Sequence, residues 1–286
     1  MEIHRFDGNP IIRPDQDDRM GTNINGPSLI RVPDWIEKPL GRYYLYFAHH
    51  EGTYIRLAFA DRIEGPWTLH RPGVLELADS FFTGHIASPD IQVLAERREI
   101  RMYYHGHSKG EAQQWTRLAL SRDGLTFNAR PEILGLFYWR TFPWRGHWYT
   151  LEMPGTFRRS VDGVTGFEEG PRLFNPAMRH SALLRRGDRL HVFYTQAGDC
   201  PEHILHTVIP LDGDWHQWRT GPIESLLLPE TPYEGADCPL EPSLRGSIHQ
   251  RARQLRDPAV FEEAGRTYLL YAVAGESGIA LAELRL

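Results

Sequence analysis

The sequence has little cysteine. Its 2 Cys, Cys200 and Cys238, stand far apart in 286 residues, and neither has a second Cys nearby. That excludes a CxxC metal knuckle and a disulfide framework, leaving two idle thiols. No apolar run approaches the roughly 18–20 residues that span a bilayer, and the stretch from Met1 to Met20 is polar, without the apolar core of a signal peptide. Long basic runs are missing as well. With 32 Lys plus Arg against 37 Asp plus Glu, the formal net charge is −5. A chain without clustered cations lacks the counterion-release effect that drives binding to phosphate backbones. These absences predict a soluble, cytoplasmic protein with neither a membrane nor a nucleic acid as partner. Helical periodicity is scarce too, since no segment repeats apolar residues at i, i+3, i+4 and i+7 for more than a couple of turns.

What is present points to short strands. At 41% hydrophobic and 24% charged residues the chain is an ordinary globular one, and its 8 Trp, 12 Tyr and 13 Phe are interleaved with 26 Gly and 21 Pro. A unit recurs along it: an apolar strand, a turn, a second strand rich in Tyr, Phe and Leu, then a third alternating strand. The first copy runs through Gly26-Pro27-Ser28-Leu29-Ile30-Arg31-Val32, Tyr43-Tyr44-Leu45-Tyr46-Phe47-Ala48 and Ile55-Arg56-Leu57-Ala58. The second runs through Ser88-Pro89-Asp90-Ile91, Ile100-Arg101-Met102-Tyr103-Tyr104 and Arg117-Leu118-Ala119-Leu120. Three further copies follow when positions 27, 89, 140, 181 and 258 are taken as equivalent. Five such units closing around an axis predict an all-β, five-bladed β-propeller, a single domain over 1–286. The expected blades lie near 26–68, 84–127, 138–170, 179–218 and 255–286. The Pro-rich stretch 219–254 is expected to be a lid or insertion. Asp123-Gly124 and Asp162-Gly163 read as tight turns between strands.

In a propeller the start of each innermost strand and the end of the strand after it meet at one mouth of the axis. That rule gathers Asn23, Asn25, His85, Ser88, Asp90, Arg140, Arg179, His180, Arg256 and Asp257 from the strand starts. From the strand ends it adds His49, His50, His105, His107, Glu152, Gln196 and Glu276. Carboxylates, imidazoles and guanidinium groups in one funnel suit a sugar, whose hydroxyls need fixed donors and acceptors. The pairs His49-His50 and His105-Gly106-His107 match no tight zinc spacing, so neither a metal nor another cofactor is expected. Trp139, Trp144 and Trp148 read as packing residues between blades.

Together with the opening Asn9-Pro10-Ile11-Ile12, the segments Gly26-Pro27-Ser28-Leu29-Ile30-Arg31, Ser88-Pro89-Asp90-Ile91 and Arg256-Asp257-Pro258-Ala259-Val260 resemble the five-bladed propeller glycoside hydrolases, glycoside hydrolase family 43 and its relatives, over nearly the whole chain. The resemblance implies cleavage of a short oligosaccharide or glycoside. The family uses an Asp base in the first blade, a second Asp tuning the site and a Glu acid in a later blade. Here Gly26, preceded by Asn25, occupies the slot of the first Asp, and Arg179-His180 stands where the Glu is expected. Asp17 or Asp18, on an N-terminal loop, is a candidate to replace the missing base. The expected catalytic residues are Asp90, Glu152, His180 and Asp257, with Asn25, His49, His85, His105, Arg140 and Arg179 binding a small carbohydrate substrate. Two alternatives stand beside this reading: a sugar-binding propeller without catalysis, and a transferase or phosphorylase using the arginines.

Overall fold

A computed structural model describes the backbone of all 286 residues and every side chain except that of Asp15. Strand β1 (Glu2–Arg5) comes first. The first blade follows as β2 (Asn25–Arg31), β3 (Tyr43–Ala48), β4 (Tyr54–Ala60) and β5 (Thr68–Glu76). The second is β6 (His85–Leu94), β7 (Glu99–His107) and β8 (Trp115–Ser121), edged by the short β9 (Asn128–Ala129) and β10 (Gly135–Leu136). The third holds β11 (Arg140–Trp144), β12 (His147–Glu152), β13 (Thr156–Ser160) and β14 (Glu168–Arg172), and the fourth β15 (Met178–Arg186), β16 (Arg189–Gln196), β17 (Ile204–Pro210) and β18 (Glu224–Leu227). The fifth is built from β19 (Arg256–Glu263), β20 (Arg266–Ala272) and β21 (Ile279–Arg285), completed on its outer edge by β1. The fold is a five-bladed β-propeller, and the pairing of β1 with β21 joins the two ends of the chain in one blade. No helix among the described residues is long and apolar enough to cross a membrane.

The Tyr- and Leu-rich second strands form because both their faces are buried: β3 has no exposed residue, and Tyr44, Leu45, Tyr46 and Phe47 are fully enclosed. Side chains on one face pack against the next blade and those on the other against the preceding one. Thus Tyr44 and Tyr46 join Ile86, Met102 and Tyr104 in one core, while Leu45 and Phe47 join Leu270, Ile279 and Leu281 in another. A polar device recurs at the blade junctions. Tyr46 donates its hydroxyl to the carbonyl of Gly124 at 2.9 Å, and Tyr103 does the same to Gly163 at 2.6 Å. In each case the acceptor is the Asp-Gly turn of the following blade, whose Asp123 or Asp162 carboxylate caps two backbone N–H groups.

Residues 219–254 divide into two parts. Glu224–Leu227 is the outer strand of the fourth blade, so that blade ends beyond the expected 218. The remainder runs to the axial mouth as a strap, and its Arg245 and Gly246 line the mouth cavity.

Candidate active site

One backbone feature aims side chains at the mouth. Gly26, Ser88, Tyr138, His180 and Asp257, one per blade at or just before the inner strand, have φ of 59°, 44°, 58°, 44° and 47°. In the first, second, fourth and fifth blades this left-handed residue lies within a β-bulge, where the pairing register shifts. The third blade's inner strand starts just after it, at Arg140. A bulge leaves one residue unpaired and re-aims its side chain. Ser88, Tyr138 and His180 accordingly line the mouth cavity of ≈130 Å³, whereas Ser28, Asp90, Arg140, Ala182 and Ala259, two positions later in each blade, line a smaller channel further along the axis.

This register corrects the equivalence expected for the third blade. Its left-handed residue is Tyr138, so position 139 rather than 140 matches 27, 89, 181 and 258. Arg140 is therefore sealed beneath the mouth. Its Nε donates to Ser181 O at 3.0 Å, and its terminal nitrogens reach Pro89 O, Pro27 O and the Tyr138 hydroxyl, tying inner strands together across the axis. Asp90 is held in the same layer, where its Oδ2 accepts from the backbone N–H and hydroxyl of Thr141 at 3.0 and 2.7 Å. Glu152 is buried in the seam between the second and third blades. Its Oε2 accepts from Leu136 N and Trp139 Nε1 and lies 2.9 Å from Arg158 Nε. The structure brings none of these three to the mouth cavity.

At the mouth itself Asp257 and His180 come together. The Tyr138 hydroxyl donates to Asp257 Oδ1 at 2.9 Å, and Asp257 Oδ2 stands 3.6 Å from His180 Nδ1. Neither of those last two atoms has a hydrogen-bond partner among the described residues. Arg179 directs Nε and an NH2 group at His180 Nε2, at 3.3 and 3.2 Å. A guanidinium only donates, so Nε2 is the bare nitrogen and a neutral His180 carries its proton on Nδ1, toward Asp257. Burial, then the charges of Arg179 and Arg256, hold this imidazole well below its ordinary range, so it is neutral. Burial first, and then the nearby Glu276 charge, raise the Asp257 carboxyl to about 6.

Glu276 has the opposite character. Burial opposes its ionisation, but His50 beside it, followed by Arg256 and Asn23, holds it far below the usual carboxylate range. Its Oε2 accepts from Asn23 at 2.5 Å, His50 at 2.8 Å and Asn25 at 3.3 Å, and its Oε1 from Arg256 at 2.9 Å. Asn25 thus serves Glu276 and the mouth's rim. The Glu276 charge and hydrogen bond also raise His50 against the cost of its burial.

The other histidines are kept neutral. Burial followed by His85 pushes His105 well down, and burial followed by His107 brings His85 to about 4. His105 lines the cavity with an unpartnered Nδ1, and His85 lies beside His107 with ring centroids 4.6 Å apart. His49 faces His249 of the strap at 6.5 Å. Arg179 and Arg256 clamp the strap, both donating to the carbonyls of Leu244 and Gly246. Asp17 and Asp18 pair instead with Arg71. No group of three or more His, Cys, Asp and Glu among the described residues is arranged to hold a metal ion.

Sequence reasoning put Glu276 and His50 near the mouth without giving them a role; their signal was position at a strand end. Tyr138 was missed because the third blade was set in the wrong register. Glu202, fully buried with Thr195 Oγ1 at 2.7 Å and facing Arg179 and Arg256 at 3.6 and 3.5 Å, lies in a loop that no pattern distinguishes.

Propeller, axial mouth and strap together place the chain in a known structural class. A glycosyl hydrolase from Bacteroides ovatus superposes with a TM-score of 0.73 at 11% identity, covering 99% of this chain and 93% of that one. The same TM-score, at 12% identity and with 99% and 94% covered, is reached by a structure from the GH130 family of mannoside phosphorylases, which contains glycoside hydrolases that target β-1,2 mannosidic linkages in Candida mannan. The GH43_1 enzyme from Xanthomonas citri complexed with xylose follows at 0.65 and 12% identity, over 93% and 88%. The protein has the five-bladed propeller fold of these glycosidases. No protein-family model matches the chain. It belongs to the same family as the uncharacterized protein R118 of Acanthamoeba polyphaga mimivirus, to which it is 36% identical over 323 aligned positions, covering 99% of this chain and 90% of that one.

Proposed function

We propose that the protein is a carbohydrate-active enzyme that cleaves a glycosidic bond in the axial mouth, with Asp257 as the general acid. One observation carries this reading: a buried carboxyl raised to about 6 beside an ionised partner, Glu276, held far below the usual range. Two carboxyl groups whose environments push them apart in this way divide the roles of proton donor and fixed charge. Asp257 Oδ1 is oriented by Tyr138, and Oδ2, free of partners among the described residues, carries the proton given to the departing sugar oxygen. His180 keeps that oxygen's surroundings neutral. His105 and Ser88 offer hydrogen bonds to sugar hydroxyls from the cavity wall.

Glu276 and Glu202 are occupied by side-chain donors and arginines. The attacking group is then an acceptor molecule, water or inorganic phosphate, rather than a side-chain carboxylate. The acceptor adds to the anomeric carbon as the bond to the leaving oxygen breaks, and the Asp257 proton completes the leaving group. The family resemblance and the fold support a glycoside as substrate.

A second reading rests on Gly26. A Cβ there would stand 2.7 Å from Ser88 Cα, so the first blade has no room for the carboxylate that the resemblance leads one to expect, and a propeller that binds sugars without turnover fits that loss. A panel of aryl glycosides, with and without inorganic phosphate, separates the two. The wild-type protein is expected to release aglycone, with Asp257→Asn slower by about 100-fold or more. Saturable sugar binding with no release under either condition would establish the binding module instead.

A further inference from the structure

The mouth cavity, at ≈130 Å³, is smaller than the roughly 300 Å³ at which small-molecule sites begin. A second cavity of ≈380 Å³ lies on the other side of the strap, lined by Pro239, Glu241, Pro242 and residues from Leu244 through Arg256. The partition between the two is thin. Leu244 and Arg256 face the larger cavity, Arg245, Gly246 and Arg179 the smaller, and both Arg179 and Arg256 are bonded to the carbonyls of Leu244 and Gly246.

The cations on the wall of the larger cavity differ in one respect. Arg251 is paired with Asp237 at 2.9 Å, and Arg256 with Glu276 at 2.9 Å. Arg253 is half-buried, and its Nε is enclosed without a partner. Among the described residues no carboxylate pairs with it, and Glu241 is the one acidic side chain on the same wall. A guanidinium held in a cavity wall with an unmet, buried N–H is poised for a planar oxyanion, which it can take bidentately. An unsatisfied donor of this kind otherwise costs on the order of 1–3 kcal/mol.

We infer that the strap cavity is an oxyanion-accepting subsite in which Arg253 binds a carboxylate or phosphate carried by the substrate on the sugar unit beyond the mouth. This rests on, and narrows, the reading of the mouth as a glycoside site. The substrate class becomes an acidic glycoside, its neutral ring in the mouth and its charged unit beneath the strap.

Calorimetric titration of the full-length protein with glucuronate, glucose 6-phosphate and glucose, at constant ionic strength, tests this. At least one of the two acids is expected to bind tenfold or more tightly than glucose, and which acid does so identifies the oxyanion. Arg253→Gln should abolish that preference, while Arg253→Lys, which keeps the charge and loses the fork, should retain only part of it. A far-ultraviolet circular dichroism spectrum matching wild type confirms that each variant is folded. Equal binding of all three sugars, or an acid preference unchanged in Arg253→Gln, overturns the subsite. The readout is binding and needs no turnover. A failure to cleave glycosides would defeat the assignment of the mouth, and a failure to prefer acids would defeat this one.

Discussion

Asp257 concentrates the chemistry of the mouth in one titration, and that titration acts on stability as well as on any reaction. Its folded-state value of about 6 lies above the ordinary 3.8, so between those values the folded chain holds a proton that the unfolded chain has released. Stability therefore falls as pH rises through that window and stays lower above it. A shift of about two units corresponds to about 3 kcal/mol at most. Asp257→Asn removes the titration while keeping an oxygen to accept from Tyr138. Urea unfolding should find the Asn variant more stable than wild type by about 1–3 kcal/mol at pH 8, with the difference gone near pH 3.5. A constant difference at both values would show that Asp257 does not carry the shift. If the carboxyl is the proton donor, kcat/KM declines above about pH 6 as it ionises, so the protein would be most stable and most active on the acid side of neutrality.

At the scale of the elements, the left-handed residue of each inner strand decides what faces the mouth, and this part was only partly legible in the sequence. The second strands were plain, because Tyr43 to Ala48 or Ile100 to Tyr104 are apolar on both faces and bounded by turns. The bulges were not. Side chains alternate with period two along a strand, so one inserted residue exchanges mouth and channel for everything after it. Asp90 and Arg140 looked like mouth residues and face the channel below, while Tyr138, with no Gly or Pro to mark its positive φ, went unremarked. Glu152 closes its strand as expected, but its role depends on Arg158 and on Leu136 of the preceding blade's edge, a pairing no local pattern encodes. Gly26 is the bulge residue that can be tested most directly. It has both a left-handed φ and a Cβ direction blocked by Ser88. Gly26→Ala should lower stability by about 2 kcal/mol or more, read as a shift of the urea midpoint, and combining it with Ser88→Gly should restore part of that loss by clearing the contact. No loss in Gly26→Ala would mean that the two inner strands are free to move apart at the axis.

On the scale of the whole molecule, closure of the ring and seating of the strap meet at Arg5. Strand β1 lies antiparallel to β21, and its Arg5 extends from that edge to Glu234, a fully buried carboxylate at the foot of the strap, at 2.8 Å, with Leu228 O at 2.9 Å. Glu234 also accepts from the Tyr271 hydroxyl of the fifth blade at 2.9 Å and from the backbone N–H groups of Glu230 and Thr231. One carboxylate thus joins the N-terminal strand, the last blade and the insertion that reaches the mouth, and Arg5 is its counter-charge. Removing one partner of a buried pair leaves the other uncompensated, at a cost of about 3–5 kcal/mol. For a domain of this size each kcal/mol moves Tm by roughly 2–4 °C, so Arg5→Ala should melt about 6–15 °C below wild type. The double variant Arg5→Ala/Glu234→Gln should recover several of those degrees, because the amide keeps an acceptor for Tyr271 without an unpaired charge. Scanning calorimetry of the two variants distinguishes this from a simple loss of edge pairing. If the double variant melts at or below the single one, the strand itself holds the ring closed and the buried carboxylate adds nothing.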